Sequence, residues 1–253
     1  MSDTIKILFA GGCQVAGYPV GEEHGFPTLV GNLLTAAGLP VEVHSLPYLK
    51  LAHRRRLTTK CREVRPDVLV MQLGHAELNG TLSAYLRSRW KFGKQSSRSE
   101  DSTIAAQELN SLLRFYCRAG LRQLVDTCLG HPLVDLPKLE GRWKALLADM
   151  KDQTIPVIVM LSPLPAADPT TMFYRRRALP LFRQIAEDYQ CVFIDVLSPA
   201  PRGLQKSLGR TDYQFDGIHM GRAGHAAVSQ LIAARLLMEL SKATFQGQCR
   251  GSH

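Results

Sequence analysis

Five short apolar runs recur along the 253-residue chain, and this recurrence constrains the fold more than any other feature of the sequence. They are Thr4–Ala10 (TIKILFA), Val41–Leu46 (VEVHSL), Asp67–Leu73 (DVLVMQL), Ile155–Leu161 (IPVIVML) and Cys191–Val196 (CVFIDV). Short runs of this kind, bounded by Gly, Pro or Asp, read as buried strands. Between them, His24–Gly38, Leu51–Val64, Leu136–Asp152 and Met172–Tyr189 carry apolar residues at helical spacing, and Ala223–Leu240 closes the pattern. Strands that alternate with helices form βαβ units, whose right-handed crossovers place helices on both faces of a parallel sheet. The expected fold class is therefore α/β: a three-layer α/β/α sandwich around a doubly wound, parallel, five-stranded sheet. No repeat or linker divides the chain, so residues 1–249 are expected to form a single domain. The stretch from about 80 to 153 is longer than one crossover requires and reads as a helical insertion. It contains a second amphipathic pattern over Thr103–Cys128 and a basic loop at Phe92–Ser99, read as a mobile lid. The closing Arg250-Gly251-Ser252-His253 (250–253) reads as a tag remnant.

Composition excludes several classes. With 45% hydrophobic and 21% charged residues, the chain is neither disordered nor fibrous. No apolar run approaches the ~20 residues of a membrane span, and Lys6 followed by Gly11-Gly12 argues against a signal peptide. The six cysteines form no CxxC pair and no metal-ligand spacing, so the expectation is a reduced, cytoplasmic protein with no metal site. A formal charge of +9 favours anionic partners through long-range steering, without choosing among nucleic acid, coenzyme A, an acidic carrier protein and sugar phosphates.

In open α/β sheets, ligands bind beyond the carboxyl ends of the strands. Three polar segments fall there: Gly11-Gly12-Cys13-Gln14 after the first strand, Gly74-His75-Ala76-Glu77 after the third, and Asp216-Gly217-Ile218-His219 before the last helix. In order and spacing they resemble the three blocks of the SGNH/GDSL hydrolases. That family carries Gly-Asp-Ser after strand one, Gly-x-Asn-Asp after strand three, and Asp-x-x-His before the C-terminal helix. The third block is the most specific match, since Gly224-His225 follows it as in the family. The resemblance spans nearly the whole chain and implies a flavodoxin-like fold and acyl-transfer chemistry. Cys13 would be the nucleophile, His219 its general base, and Asp216 the group that orients His219. Gly12, Gln14, Gly74, His75, Ala76 and Glu77 would surround the oxyanion and the substrate.

The departures from the pattern shape the expectation. Cys13 replaces serine, Ala76 stands where the family has its oxyanion asparagine, and His44-Ser45-Leu46-Pro47 offers no glycine after strand two. The backbone N–H of Cys13, at the start of a helix, would remain as a donor, and His75 or Gln14 could replace a lost one. Removing one oxyanion donor typically costs ~2.7–4 kcal/mol of transition-state stabilisation. A thiol in the first turn of a helix beside a histidine ionises readily and exchanges acyl groups with thioesters. A weaker resemblance points the same way: a capsule-polysaccharide family assigned as acetyltransferases carries Gly-x-Cys-Gln after its first strand, as Gly11-Gly12-Cys13-Gln14 does here. The leading expectation is an acyltransferase or thioesterase acting on acyl-coenzyme A or an acidic acyl-carrier protein. No cofactor is required, and coenzyme A or a phosphopantetheine thioester would enter as substrate.

Other readings stand beside it. A carboxylester hydrolase shares every step up to the acyl-enzyme. A binding module on a degenerate hydrolase scaffold would leave Cys13 inert, as a lone cysteine after a strand usually is. Trp90 and Phe92 among Arg87, Arg89, Lys91 and Lys94 could stack single-stranded nucleic acid, although a lid fits their position better. His225 reads as structural. The triplets Arg54-Arg55-Arg56 and Arg175-Arg176-Arg177 read first as solvated helix faces, and second as a docking surface for phosphates or a carrier protein.

Overall fold

The computed structural model describes residues 4–75, 77–78, 134–166, 169–199, 212–215 and 218–250, together with the single positions Leu121, Leu124 and Cys128. The expectations for Phe92–Ser99, and for Thr103–Cys128 apart from these three positions, lie outside them. Among the described residues there are five strands: β1 (Ile5–Gly11), β2 (Val41–Leu46), β3 (Val68–Gln72), β4 (Val157–Leu161) and β5 (Val192–Ile194). They form one sheet in the order β2-β1-β3-β4-β5, and every pairing is parallel. The helices are α1 (Phe26–Ala36), α2 (Arg54–Val64), α3 (Leu136–Lys151), α4 (Pro169–Asp188) and α5 (Arg222–Arg250).

The three layers follow from the two-residue period of the strands. Ile7 and Phe9 of β1, Val68 and Val70 of β3, and Val159 and Leu161 of β4 pack with Val30 and Leu34 of α1 and Val228, Ile232 and Leu236 of α5. Their neighbours Leu8, Ala10, Leu69, Met71 and Met160 face the other way, onto Leu57 of α2, Trp143 and Leu147 of α3, and Phe182 of α4. Because both faces are covered, the strands read as continuous apolar runs rather than alternating ones. Among the described residues of the 80–153 region, α3 is the helix that leads into β4. It starts where Asp135 caps it, its carboxylate accepting from the Lys138 N–H at 2.9 Å. The closing helix runs to Arg250, ten residues past the expected Leu240, since no proline follows Leu240 to stop it.

One expectation needs correction. The Arg175-Arg176-Arg177 triplet is not a uniform solvated face: Arg176 and Arg177 are exposed, but Arg175 is 1% exposed. Successive helical residues turn by ~100°, which sends Arg175 inward with Tyr174 and Ala178. Its Nη1 donates to the carbonyls of Leu164 (2.7 Å) and Pro165 (3.1 Å), so the buried charge holds the loop that follows β4. Arg54, Arg55 and Arg56 are exposed, and Arg54 reaches Asp149 of α3 at 3.3 Å.

Gly74 is fixed by conformation and by space. Its φ is 83°, and a Cβ there would lie 2.8 Å from Trp143 Nε1 and 2.9 Å from Phe182 Cζ. Left-handed strain and overpacking add, so Gly74→Ala is expected to destabilise the fold by about 2–4 kcal/mol, read as a lower urea midpoint with an unchanged m-value. A midpoint equal to that of the parent would contradict this.

Candidate active site

The order β2-β1-β3 makes the carboxyl end of β1 the point where the chain switches sides, and a crevice opens there. Beyond β1 the backbone forms a 3-10 turn over Cys13–Ala16, closed by Gly17 in the left-handed conformation. The element after the first strand is thus a four-residue turn rather than the start of an α-helix. Such a turn leaves its first N–H groups without intrahelical acceptors. Val15 donates to the Gly12 carbonyl, whereas no acceptor is found for the Cys13 and Gln14 N–H groups among the described residues.

The crevice holds a cavity of about 230 Å³. Cys13 and His219 both line it, so residues about two hundred positions apart in sequence share one wall. Gly12, Gln14, His75 and Ile218 complete the inner lining, and Tyr48, Leu49 and Lys50 form the side toward β2. Lys50 is exposed at the rim and brings a positive charge to it.

His219 lies in a loop that folds back on itself. Gln214 bridges Met220 in antiparallel fashion, and the Phe215 N–H donates to the His219 carbonyl at 2.8 Å. The Tyr18 and His219 rings meet in a T-shaped arrangement, with centroids 4.8 Å apart. Gln14 ties this loop to the Cys13 turn. It is 2% exposed, its Nε2 donates to the Ile218 carbonyl (3.3 Å), and its Oε1 accepts from the Met220 N–H (3.2 Å). Both ends of its amide are therefore engaged on the residues flanking His219. Asp216 and Ala76 lie outside the described residues.

His75 is buried against the cavity. Its Nδ1 is 2.7 Å from Gln72 Nε2, and Gln72 Oε1 accepts from the Gly12 N–H at 3.1 Å. The imidazole packs over Gly12 so closely that a Cβ there would lie 2.8 Å from Cε1 and Nε2. Burial, reinforced by the positive charge of Arg175 and by like-charge coupling to His219, holds the His75 pKa down to about 3, so its ring is neutral. His225, at the start of α5, accepts the Phe26 N–H on Nδ1 at 3.1 Å and stacks on the Phe26 ring. Burial holds it down to about 4, against the pull of the Tyr18 carbonyl.

Two other predicted residues support the walls. Gly74 packs on Trp143 and Phe182, and Glu77 accepts the Leu51 N–H at 3.2 Å, joining the loop after β3 to the loop after β2. The sequence reading missed Gln72, Tyr48, Leu49 and Lys50. Gln72 carried a signal, as the one polar residue ending an otherwise apolar strand. The other three carried none, because their place depends on how the β2 loop folds. The Cys61 and Cys191 thiols are each pushed up to about 11 by burial, which keeps them protonated at neutral pH. Among the described residues, no group of His, Cys, Asp and Glu side chains could hold a metal ion, and no helix is long and apolar enough to cross a membrane.

The chain is similar to a lipase/acylhydrolase from Enterococcus faecalis (TM-score 0.56, 16% identity, 92% of this chain and 95% of that one). It is also similar to the esterase EstA from Pseudoalteromonas sp. (TM-score 0.56, 14% identity, 93% and 98%) and to the acetyl xylan esterase AlAXEase (TM-score 0.55, 16% identity, 91% and 99%). The fold is that of the SGNH/GDSL hydrolases. At the level of sequence, no family model and no curated protein matches the chain.

Proposed function

We propose that this protein is an acyl-transfer enzyme of the SGNH type that works through an acyl-enzyme on Cys13. The observation that carries the reading is the shared cavity: Cys13 and His219 line it together at the carboxyl end of β1. The esterases and lipases that share the fold support acyl chemistry in general. The cysteine and the basic surface favour a thioester donor, either acyl-coenzyme A or an acidic acyl-carrier protein.

His219 takes the thiol proton as Cys13 Sγ attacks the acyl carbon. The tetrahedral oxyanion collapses, the donor C–S bond breaks, and His219 returns the proton to the leaving thiolate. One thioester replaces another, so the step is nearly thermoneutral. An acceptor hydroxyl, amine or water then gives its proton to His219 and attacks the acyl carbon, and the departing Cys13 thiolate takes that proton back from His219. Asp216 orients His219 and stabilises the imidazolium that forms. With water as acceptor the outcome is hydrolysis, and with another nucleophile it is transfer.

Intact-protein mass after brief incubation with a panel of acyl-coenzyme A donors tests the reading. A gain of one acyl group that is absent in Cys13→Ala is the expected result. No adduct on the parent protein, together with donor consumption that does not depend on Cys13, would overturn it.

A further inference from the structure

We propose that His75 is an oxyanion donor of this site, through its Nε2–H, and that Gln72 is the positioning residue that fixes it as a donor. The inference rests on the acyl-enzyme reading above and concerns what stabilises the negative oxygen formed on the way to it.

Its first support is a chain of donors and acceptors that admits one solution. The Gly12 N–H donates, and of the two ends of the Gln72 amide only the oxygen can accept it, Oε1 lying 3.1 Å away. The orientation of the Gln72 amide is thereby set, with its nitrogen toward His75. An amide nitrogen only donates, so the nearer ring nitrogen, Nδ1 at 2.7 Å, must present its lone pair. Nε2 is farther from the same amide nitrogen, at 3.3 Å. A neutral imidazole that accepts on Nδ1 carries its hydrogen on Nε2. Burial, which holds the His75 pKa down to about 3, keeps the ring in this uncharged form at any working pH.

The second support is place. His75 lines the same cavity as Cys13, and its Nε2 lies over Gly12, the residue before the nucleophile. Only glycine at 12 lets the ring approach this closely. The third is how few of the described backbone donors beside Cys13 are free. Ala76 has no polar side chain. The N–H groups of Tyr48, Leu49 and Lys50 are engaged, on the carbonyls of Gly12 and Gly11 and on His53 Nδ1 respectively. On the inner wall beside Cys13, the Cys13 and Gln14 N–H groups and His75 Nε2–H are placed to receive negative charge, while the Lys50 ammonium and the Tyr48 hydroxyl lie on the side toward β2.

Two rates measured on the same thiol separate this role from others. Acetylation of Cys13 by acetyl-coenzyme A or p-nitrophenyl acetate passes through an oxyanion. Alkylation by iodoacetamide does not, since it displaces iodide directly. Both are read at Cys13 by peptide mass mapping. His75→Ala is expected to slow acetylation by about 10²–10³-fold and to leave alkylation within about threefold. His75→Gln, whose amide nitrogen reaches roughly where Nε2 sits, should keep acetylation within about tenfold of the parent. Gln72→Glu still accepts from Gly12 but cannot donate to Nδ1. It favours the opposite tautomer, turns Nε2 into an acceptor, and should slow acetylation as His75→Ala does. Nitrogen-15 NMR of the parent protein should report the Nε2–H tautomer of His75.

Acetylation unchanged in His75→Ala, both rates falling together, or an Nδ1–H tautomer in the parent would each overturn the role of His75 while leaving the Cys13 reading in place. A parent protein that takes no acetyl group from either donor would overturn both.

Discussion

Gln14→Leu is expected to cost about 2–4 kcal/mol of stability and about 10²-fold in the rate of Cys13 acylation. The side chain is 2% exposed and spans the Cys13 turn and the His219 loop with two hydrogen bonds. Leucine fills similar volume and makes neither bond. The buried Met220 N–H then loses its acceptor, a penalty of ~1–3 kcal/mol, and the bond to the Ile218 carbonyl is lost as well. For a domain of this size, the thermal midpoint should fall by roughly 5–15 °C. The rate falls because His219 lies between the two residues that Gln14 holds, and a shift of about 1 Å in a reacting group commonly costs ~10²-fold. Differential scanning calorimetry and the acylation time course measure the two effects. A variant with the parent's midpoint and rate would show that the two loops are held in register by other contacts.

Acidification should weaken the fold steeply before its carboxylates titrate. His75 and His225 have native pKa values of about 3 and about 4, against ~6.5 in the unfolded chain. Between these limits the unfolded state binds protons that the native state does not, so stability falls as the pH falls. The contribution of both groups is fully present above pH ~6.5. It is lost as the pH drops, until His225 protonates in the native state near 4 and His75 near 3. The combined slope approaches ~2.7 kcal/mol per pH unit, and the loss between pH 7 and pH 5 is about 4 kcal/mol. That is a large part of the ~5–15 kcal/mol typical of a folded domain. Urea titrations at pH 7, 6 and 5 measure it. His225→Gln should roughly halve the slope. A flat stability profile across this range, or an unchanged slope in that variant, would contradict the burial of these two imidazoles in neutral form.

The layered fold was legible because its signal is local. An apolar run such as Asp67–Leu73 can be satisfied only by a sheet covered on both faces, and five such runs separated by helical patterns admit few topologies. The order β2-β1-β3-β4-β5 is the doubly wound arrangement that this reading expects. Parts of the site were legible for a related reason: residues just past the strand ends must gather at one edge of the sheet, as Cys13 and His75 do. The Arg175 triplet shows the limit of composition, since three identical neighbours divide between core and solvent according to where the helix meets the rest of the chain.

By itself the sequence determined the number of strands, their parallel arrangement and the edge at which chemistry could occur. These depend on hydrophobic period and chain direction, which are written residue by residue. Only the tertiary structure decided that Gln72 bonds both Gly12 and His75, that Gln14 spans to the residues around His219, and that Arg175 is buried on the carbonyls of Leu164 and Pro165. Each of these is a hydrogen bond whose partner is chosen by distance in space. Sequence separation, from 3 residues for Gln72 and His75 to 206 for Gln14 and Met220, carries no information about that choice.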